Sequence, residues 1–579
     1  MKADLKVIFI IIFLLPALTY AAGQKYYVTQ DGSGYRNGTS LANAWNVADF
    51  NNSLNWSTTN HPNKIDPGDT VYFSGSVTST LYPQGSGFSG NYITLDGYEA
   101  GNCDPINSKC TRSAEIHNSD SAIYFTNQDY VIIQDFRISG EGLDFIGKSP
   151  SDDSSHIIIR RNEIHDIDHN CINIDYGDYF TIGGAFGDGN EIYDCGDDTS
   201  DADISPSHTQ DIIISHNHLY ATKSKGDSGD RGIDGIVTHY VNRMLIEYNS
   251  IHSHNDRYGD DARGEDGMDL KRETTDVIIR FNKIYDHQGQ ANIQIQGGTH
   301  NVYVYGNRLM SSIWGGVFIY ARKKGYASID NIHIWSNEIF GNAKNAITTV
   351  SDGDEVGMIY IYNNTMAFNG FAYTDIYGRN HTPNQWDCAL KLTAGSSNIK
   401  NNIFFKNQPD ISTYIQMNTN SSDRISTLEH DTYYWPAHAS VVGYDGSNRT
   451  IADLQVKYNL EKYQIAGEDS NPGMNDPDGP DNVYGTADDN YTLNGNKVDN
   501  GADLSKCFKV QIQDVTHTVC YDDALDPNTT NWSTTPPTVG TSKQENYGYW
   551  DRGAYLYKGL KSALNAPSAL RIRAGGNQD

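Results

Sequence analysis

A short apolar strand that runs into an asparagine, with an apolar residue two positions on, returns again and again along this 579-residue chain. It is clearest in Ile158-Ile159-Arg160-Arg161-Asn162-Glu163-Ile164. It recurs around Asn190, Asn217, Asn249, Asn282, Asn307, Asn337, Asn364 and Asn402, at intervals of 25 to 38 residues, and Phe136 occupies the same slot one repeat earlier. Strands of β-branched residues separated by Gly, Asn and Asp turns at this period cannot each bury an apolar row alone. Stacked as coils, they bury it together. The spacing therefore predicts an all-β chain: a single-stranded right-handed parallel β-helix of at least nine coils between about Ala114 and Asn407. At its fixed turn position each asparagine is expected to take the left-handed conformation and to stack its amide on the next. The uneven intervals place variable loops at particular corners.

Residues 1–22 form an expected secretory signal peptide: Lys2 and Lys6 precede an apolar run from Val7 to Leu18, too short to span a bilayer, and Ala21-Ala22-Gly23 offers small residues for cleavage. Residues 23–113 are expected to cap the solenoid and open its first coils, covering an edge that would otherwise pair with other chains. Residues 114–430 are the β-helix proper. Residues 431–560 read as looser, acidic, turn-rich coils and capping strands, and 561–579 as an unfolded tail. The 54 glycines, 39 tyrosines and only 17 prolines suit a protein of many tight turns.

A formal charge of −29 argues against a nucleic-acid binder, which needs a basic face. No second apolar run is long enough to insert in a membrane, so the expectation is a soluble, exported monomer. Seven cysteines in an exported chain permit disulfides. Cys103 with Cys110 and Cys507 with Cys520 are each placed to close locally, Cys171 and Cys195 to meet as neighbours one coil apart, and Cys388 is left over. None falls in a metal-binding spacing.

The polar pattern of the coils is broken at Tyr258-Gly259-Asp260-Asp261-Ala262-Arg263-Gly264-Glu265-Asp266-Gly267-Met268-Asp269-Leu270-Lys271. Asp269 and Lys271 are two apart and share a strand face, which is the solvent face if Leu270 points inward. One coil earlier, Gly232-Ile233-Asp234-Gly235 repeats the Asp-Gly step at nearly the coil interval, so Asp234 and Asp266 are expected to stack. Asp234, Glu265, Asp266 and Asp269 would then gather carboxylates that either repel or share a hard cation, and Ca²⁺ accepts such oxygens in flexible geometry. A lysine beside the ion would lose its proton more readily, which makes Lys271 the candidate base.

These residues resemble the calcium-dependent polysaccharide lyases of the pectate-lyase superfamily. The Asp234-Gly235 and Glu265-Asp266-Gly267-Met268-Asp269 steps are similar to the calcium coils of the family-nine lyases, with Glu265 in place of an aspartate. The five-residue step from Asp266 to Lys271 is similar to that of family-six alginate and dermatan lyases. The resemblance implies Ca²⁺ held by Asp234, Glu265, Asp266 and Asp269, and β-elimination next to a uronic acid. The chain departs from both patterns. Family nine carries its base lysine on a later coil, where this chain reads Asn292-Ile293-Gln294-Ile295-Gln296 and Val317-Phe318-Ile319-Tyr320. Family six places an arginine one coil below the base, where Gln296 stands.

The expected substrate is an acidic, uronic-acid-containing polysaccharide, with His239, Gln294, Gln296, Tyr320, Arg322 and Lys323 as candidate contacts. Residues 299–345 carry five basic against two acidic residues, a local strip able to hold the polymer's anions. Two other readings stand beside this one: a β-helical glycoside hydrolase pairing Asp266 with Asp269, and a non-catalytic sugar-binding or adhesin solenoid. An epimerase on the same scaffold is a further variant. Asp476, Asp478 and Asp481, with Asp488 and Asp489, suggest a separate structural Ca²⁺, although without EF-hand spacing.

Overall fold

In a computed structural model the chain is built around three long sheets of 14, 13 and 13 strands. The structure describes residues 23–556 apart from 60, 98–102, 105–108, 111–113, 150–151, 197–200, 222–232, 255–265, 288–290, 323–324, 372, 375–379, 382–386, 408–413, 418–424, 435–441, 445–446, 462–471, 483–485, 494–500 and 545–550. The signal-peptide region, Glu265, Lys323 and the C-terminal tail lie outside the described residues.

Each coil contributes one strand to each sheet in turn, as in Gln210–Ser215, His218–Tyr220 and Asp234–His239, and every strand pairs in parallel with its counterpart one coil on. This is a parallel β-helix. The inward rows are continuous: Ile236, Met268, Ile293 and Val317 align in the third sheet, and all four are fully buried. Regular coils run further in both directions than the asparagine spacing shows, from Lys25–Val28 to a closing antiparallel pair at Val442–Tyr444 and Ser447–Arg449.

The asparagines form the expected ladder at the corner between the first and second sheets. Asn282 is typical: its carbonyl oxygen accepts the Asn249 N–H at 3.0 Å, and its amide donates to Asn307 Oδ1 at 3.0 Å and to the Ile246 carbonyl at 2.9 Å. The turn is made differently from expectation. The left-handed residue is the one before the ladder, at Arg161, His216, Tyr248, Phe281, Gly306, Ser336, Asn363 and Asn401, so the asparagine itself stays free to lie buried along the axis. A second ladder runs five residues later, through His254, His287, Ser312, Asn342, Asn369 and Asn407, all buried at the corner leading into the third sheet. His287 donates Nε2–H to the Ile251 carbonyl at 3.3 Å, and Asn342 and Asn369 make the equivalent bonds to Leu309 and Ile339.

Beyond the coils, the described residues of 474–556 fold back along the outside of the solenoid instead of extending it. The hairpin of Cys507–Ile512 and Val515–Cys520 packs Val510, Ile512 and Val519 with the outer row of Tyr303, Trp335 and Tyr362. Trp335 Nε1 donates to the Cys520 carbonyl at 3.0 Å, and Asn363 to the Tyr521 carbonyl at 3.0 Å. Cys507–Cys520 and Cys171–Cys195 are disulfides, and Cys388 is free and buried. Cys195 stacks on Ile167, so its disulfide reaches across a corner and does not join equivalent positions of two coils. The Cys103 and Cys110 backbones face each other in a short antiparallel pair.

Candidate active site on the third sheet

The outer face of the third sheet carries the residues singled out by the sequence. His239 pairs with Lys271 and Val237 with Asp269; Asp269 in turn pairs with Gln294, Gln294 with Phe318, and Gln296 with Tyr320. Leu270 is fully buried in the core, as its apolar character required. Asp266 stacks under Asp234 through its own N–H, which donates to Asp234 Oδ1 at 2.9 Å. The glycine of each Asp-Gly step is needed for space. A Cβ on Gly267 would lie 2.4 Å from Ile284 Cγ2 and 2.6 Å from the Asn292 carbonyl oxygen, and one on Gly235 would meet the Gly267 carbonyl at 2.6 Å. The two corners close so tightly that only glycine lets Asp234 and Asp266 come into line.

The three aspartates are buried, and Lys271 is their lid. Lys271 Nζ lies 2.7 Å from Asp269 Oδ2 and 3.5 Å from Asp234 Oδ2, with a quarter of its side chain exposed. Gln294 Nε2 bridges Asp266 Oδ2 at 3.0 Å and Asp269 Oδ2 at 2.8 Å, and Gln296 Nε2 donates to both oxygens of Asp269. The Ala291 N–H donates to Asp266 Oδ1 at 2.5 Å. Burial raises the carboxyls of Asp234 and, further, Asp266 above their ordinary value; their mutual repulsion adds to this for Asp266. Burial alone would lower the Lys271 ammonium, but Asp269 and then Asp234 outweigh it and hold the group above its ordinary value. His239 is pushed down to about 4, by burial first and then by Arg272 and Lys271, and is a neutral imidazole at pH 7.

Several expectations change here. Asp269 does not face solvent beside Lys271: it is covered by Lys271 and the two glutamines, because the long amide side chains of the next coil reach back over it. Gln294 and Gln296 are themselves only 3% and 5% exposed, so they position Asp269 and present little surface to a ligand. In the folded chain Lys271 is held protonated, not poised as a base. Tyr320 lies two coils from Lys271, with its hydroxyl on Asp352 and the Arg322 guanidinium 5.7 Å from its ring centre.

Sequence reasoning missed the supports. Thr274 Oγ1 donates to the Lys271 carbonyl at 2.7 Å and lies 2.9 Å from Thr238 Oγ1, fixing the strand end that carries the lysine. Behind the aspartates a fully buried Asp203 meets His254 Nε2 at 2.8 Å, and burial raises the Asp203 carboxyl to about 6. The 33-residue step from His254 to His287, equal to that from Asn249 to Asn282, was the available signal.

The donor chemistry fits a hard divalent cation. Three buried carboxylates face one ammonium, and Asp234 Oδ2 receives no hydrogen bond. The cluster is closed by Lys271 as folded. Elsewhere Asp481, Asp488 and Asp489 bring one carboxylate oxygen each within 4.8 Å of the others.

No protein-family model and no curated protein matches this chain. Solved structures similar to it include the complex of XylC with xylose, at 13% identity and a TM-score of 0.37 over 79% of this chain and 88% of that one. A mannuronic-acid-specific family 6 polysaccharide lyase from human gut microbiota aligns at 12% identity and 0.38, over 76% and 90% of the two chains. Pectate lyase Pel9A aligns at 11% and 0.30, over 84% and 92%.

Proposed function

We propose that this chain is an exported polysaccharide lyase that cleaves a uronic-acid-containing polymer by cation-assisted β-elimination. The observation that carries the reading is the partly exposed Lys271 amine set over three buried aspartates on the outer face of the third sheet. Two disulfides support export, and among the described residues no helix is long and apolar enough to cross a membrane.

Elimination removes the proton at C5 of the uronic acid. The C–H electron pair becomes the C4–C5 double bond, the C4–O bond breaks with its pair on oxygen, and that oxygen takes a proton. Ca²⁺ bound by Asp234, Asp266 and Asp269 would neutralise the substrate carboxylate and stabilise the enediolate charge. A divalent cation held there would compete with the Lys271 ammonium for these carboxylates, and Lys271, losing the interactions that hold its proton, would release it to solvent. Its amine then accepts the C5 proton. Among the described residues the same group, once protonated, is the candidate acid for the leaving oxygen, because His239 above it is a neutral imidazole at neutral pH and Tyr320 is two coils away. Hydrolysis by an Asp266–Asp269 pair is less well supported: both are buried and both are bound by one glutamine amide.

The test is a panel of polygalacturonate, alginate, glucuronan and glycosaminoglycans incubated with the protein, with Ca²⁺ or with a chelator. Ultraviolet absorbance of an unsaturated uronide that grows only with the cation is expected. New reducing ends without that absorbance would replace elimination with hydrolysis.

A further inference from the structure

Two coils along the axis from Lys271, about 10 Å at the usual strand spacing, the same outer face changes from carboxylates to aromatic rings. Trp314 is 41% exposed, and its ring centre lies 5.8 Å from that of Phe318. Phe318 is in turn stacked 5.6 Å from Tyr320. Phe318 is buried between the exposed Trp314, tilted 53° to it, and the partly buried Tyr320 stacked on it, and the group is in line with the site because Phe318 pairs with Gln294 and Gln294 with Asp269. Lys344 is the neighbour of Trp314 on the next coil, since Gly315 pairs with Asn345, and its ammonium sits 3.5 Å from the Trp314 ring centre. At the other end Arg322 lies over Tyr320, and Asp352 accepts the Tyr320 hydroxyl.

Exposed large aromatics are uncommon on this molecule, and most of its outer rings are stacked into ladders or covered by residues 474–556. Lys344 covers one face of the indole, so a sugar ring that carries an anion suits the exposed part of Trp314 that remains: the apolar face of the pyranose lies on the indole, and its carboxylate or sulfate meets the ammonium beside it. Asp352 makes the group asymmetric. The anion belongs at the Trp314–Lys344 end and the hydroxyls at the Tyr320–Asp352 end.

We propose that Trp314, Phe318 and Tyr320, with Lys344, form a distal subsite for an anionic sugar residue about two units from the bond that is cut. The proposal rests on the lyase reading for the class of polymer, and the experiment separates the two. Lys271→Ala, Lys271→Ala/Trp314→Ala and Lys271→Ala/Lys344→Ala are run in native gels containing each polysaccharide of the panel, so that binding is read without turnover. Trp314→Ala and Lys344→Ala are assayed for cleavage in the active background. Loss of Trp314 is expected to weaken binding about tenfold, which corresponds to roughly 1.4 kcal/mol. Loss of Lys344 should give a smaller deficit that disappears at high salt. In the active background KM for long chains should rise with kcat little changed. Variants that bind and cleave like their parents overturn the subsite and leave the lyase reading standing. Retention that depends on Trp314 in a protein that cleaves nothing supports the subsite and overturns the lyase reading. Circular dichroism identical to the parent's excludes misfolding as the cause of any loss.

Discussion

The side chain on which most depends is Lys271, and its protonation state follows from its neighbours. With Asp269 at 2.7 Å and Asp234 at 3.5 Å its ammonium is stabilised, and only removal of that negative charge makes it a base near neutral pH. A group raised in this way is active only above its own pKa, so the acidic limb of kcat/KM reports it. With chelator present the titration of Lys271 itself, followed by NMR of its side chain so that no turnover is needed, should lie roughly one pH unit or more above its position with Ca²⁺. Identical titrations in both conditions would show that no cation acts on Lys271. The residues of this cluster were legible in the sequence because the interval from Asp234 to Asp266 matches the coil interval, and because an apolar Leu270 orients its neighbours. The burial of Asp269 was not legible. It depends on glutamine side chains 25 and 27 residues away reaching back across a strand gap, which no local pattern encodes. Trp314 gave no signal either, since a single tryptophan between two strands reads equally well as core.

At the scale of the element, the two ladders explain why the coil repeat is visible at all. A buried corner leaves backbone N–H and C=O groups of successive coils facing one another across the axis, and a short amide side chain can serve both. Asparagine does so at the first corner in nearly every coil, so the spacing stands out. The second corner makes the same kind of bond through His287, Asn342 and Asn369, while Ser312 takes part only by its backbone N–H to Asn342 and His254 turns to Asp203, and that variety hid it. Replacing Asn282 with alanine removes the acceptor of the Asn249 N–H and the donor to the Ile246 carbonyl, in a site with no solvent access. Each group left unpaired costs roughly 1–3 kcal/mol. The Asn282→Ala protein should therefore unfold at distinctly lower denaturant concentration, whereas replacing an exposed asparagine such as Asn528 should change little. An unchanged midpoint for Asn282→Ala would mean that water or a shifted backbone serves these groups instead.

For the whole molecule, the coil repeat predicted the solenoid, but the return of residues 474–556 along its flank came only from the structure. Those strands are placed by scattered aromatic contacts onto an outer row of the solenoid, and contacts of that kind have no period. The −29 charge is similarly divided by the fold. Some carboxylates line the candidate site, some are exposed around Asp481 and Asp488, and a pair is sealed at the far end, where Asp431 ends the asparagine ladder by accepting from Asn402 at 2.7 Å and Glu461 accepts from Tyr433 at 2.7 Å. Both are fully buried, and burial raises both carboxyls, with Asp431 raising Glu461 further; the Arg552 guanidinium opposes this only in part. An acid whose pKa is higher folded than unfolded binds its proton more tightly in the native state. Its contribution is therefore present at acidic pH and is lost as pH rises through the folded value. Between the ordinary carboxylate range and neutrality the end of the solenoid should loosen as pH increases. Hydrogen exchange in the Ile425–Glu429 and Thr432–Tyr434 strands should be slower at pH 5 than at pH 7.5, once corrected for intrinsic rates. Replacing Glu461 with glutamine should remove much of that difference while leaving the central coils unaffected; an unaltered pH dependence would place the titrating groups elsewhere.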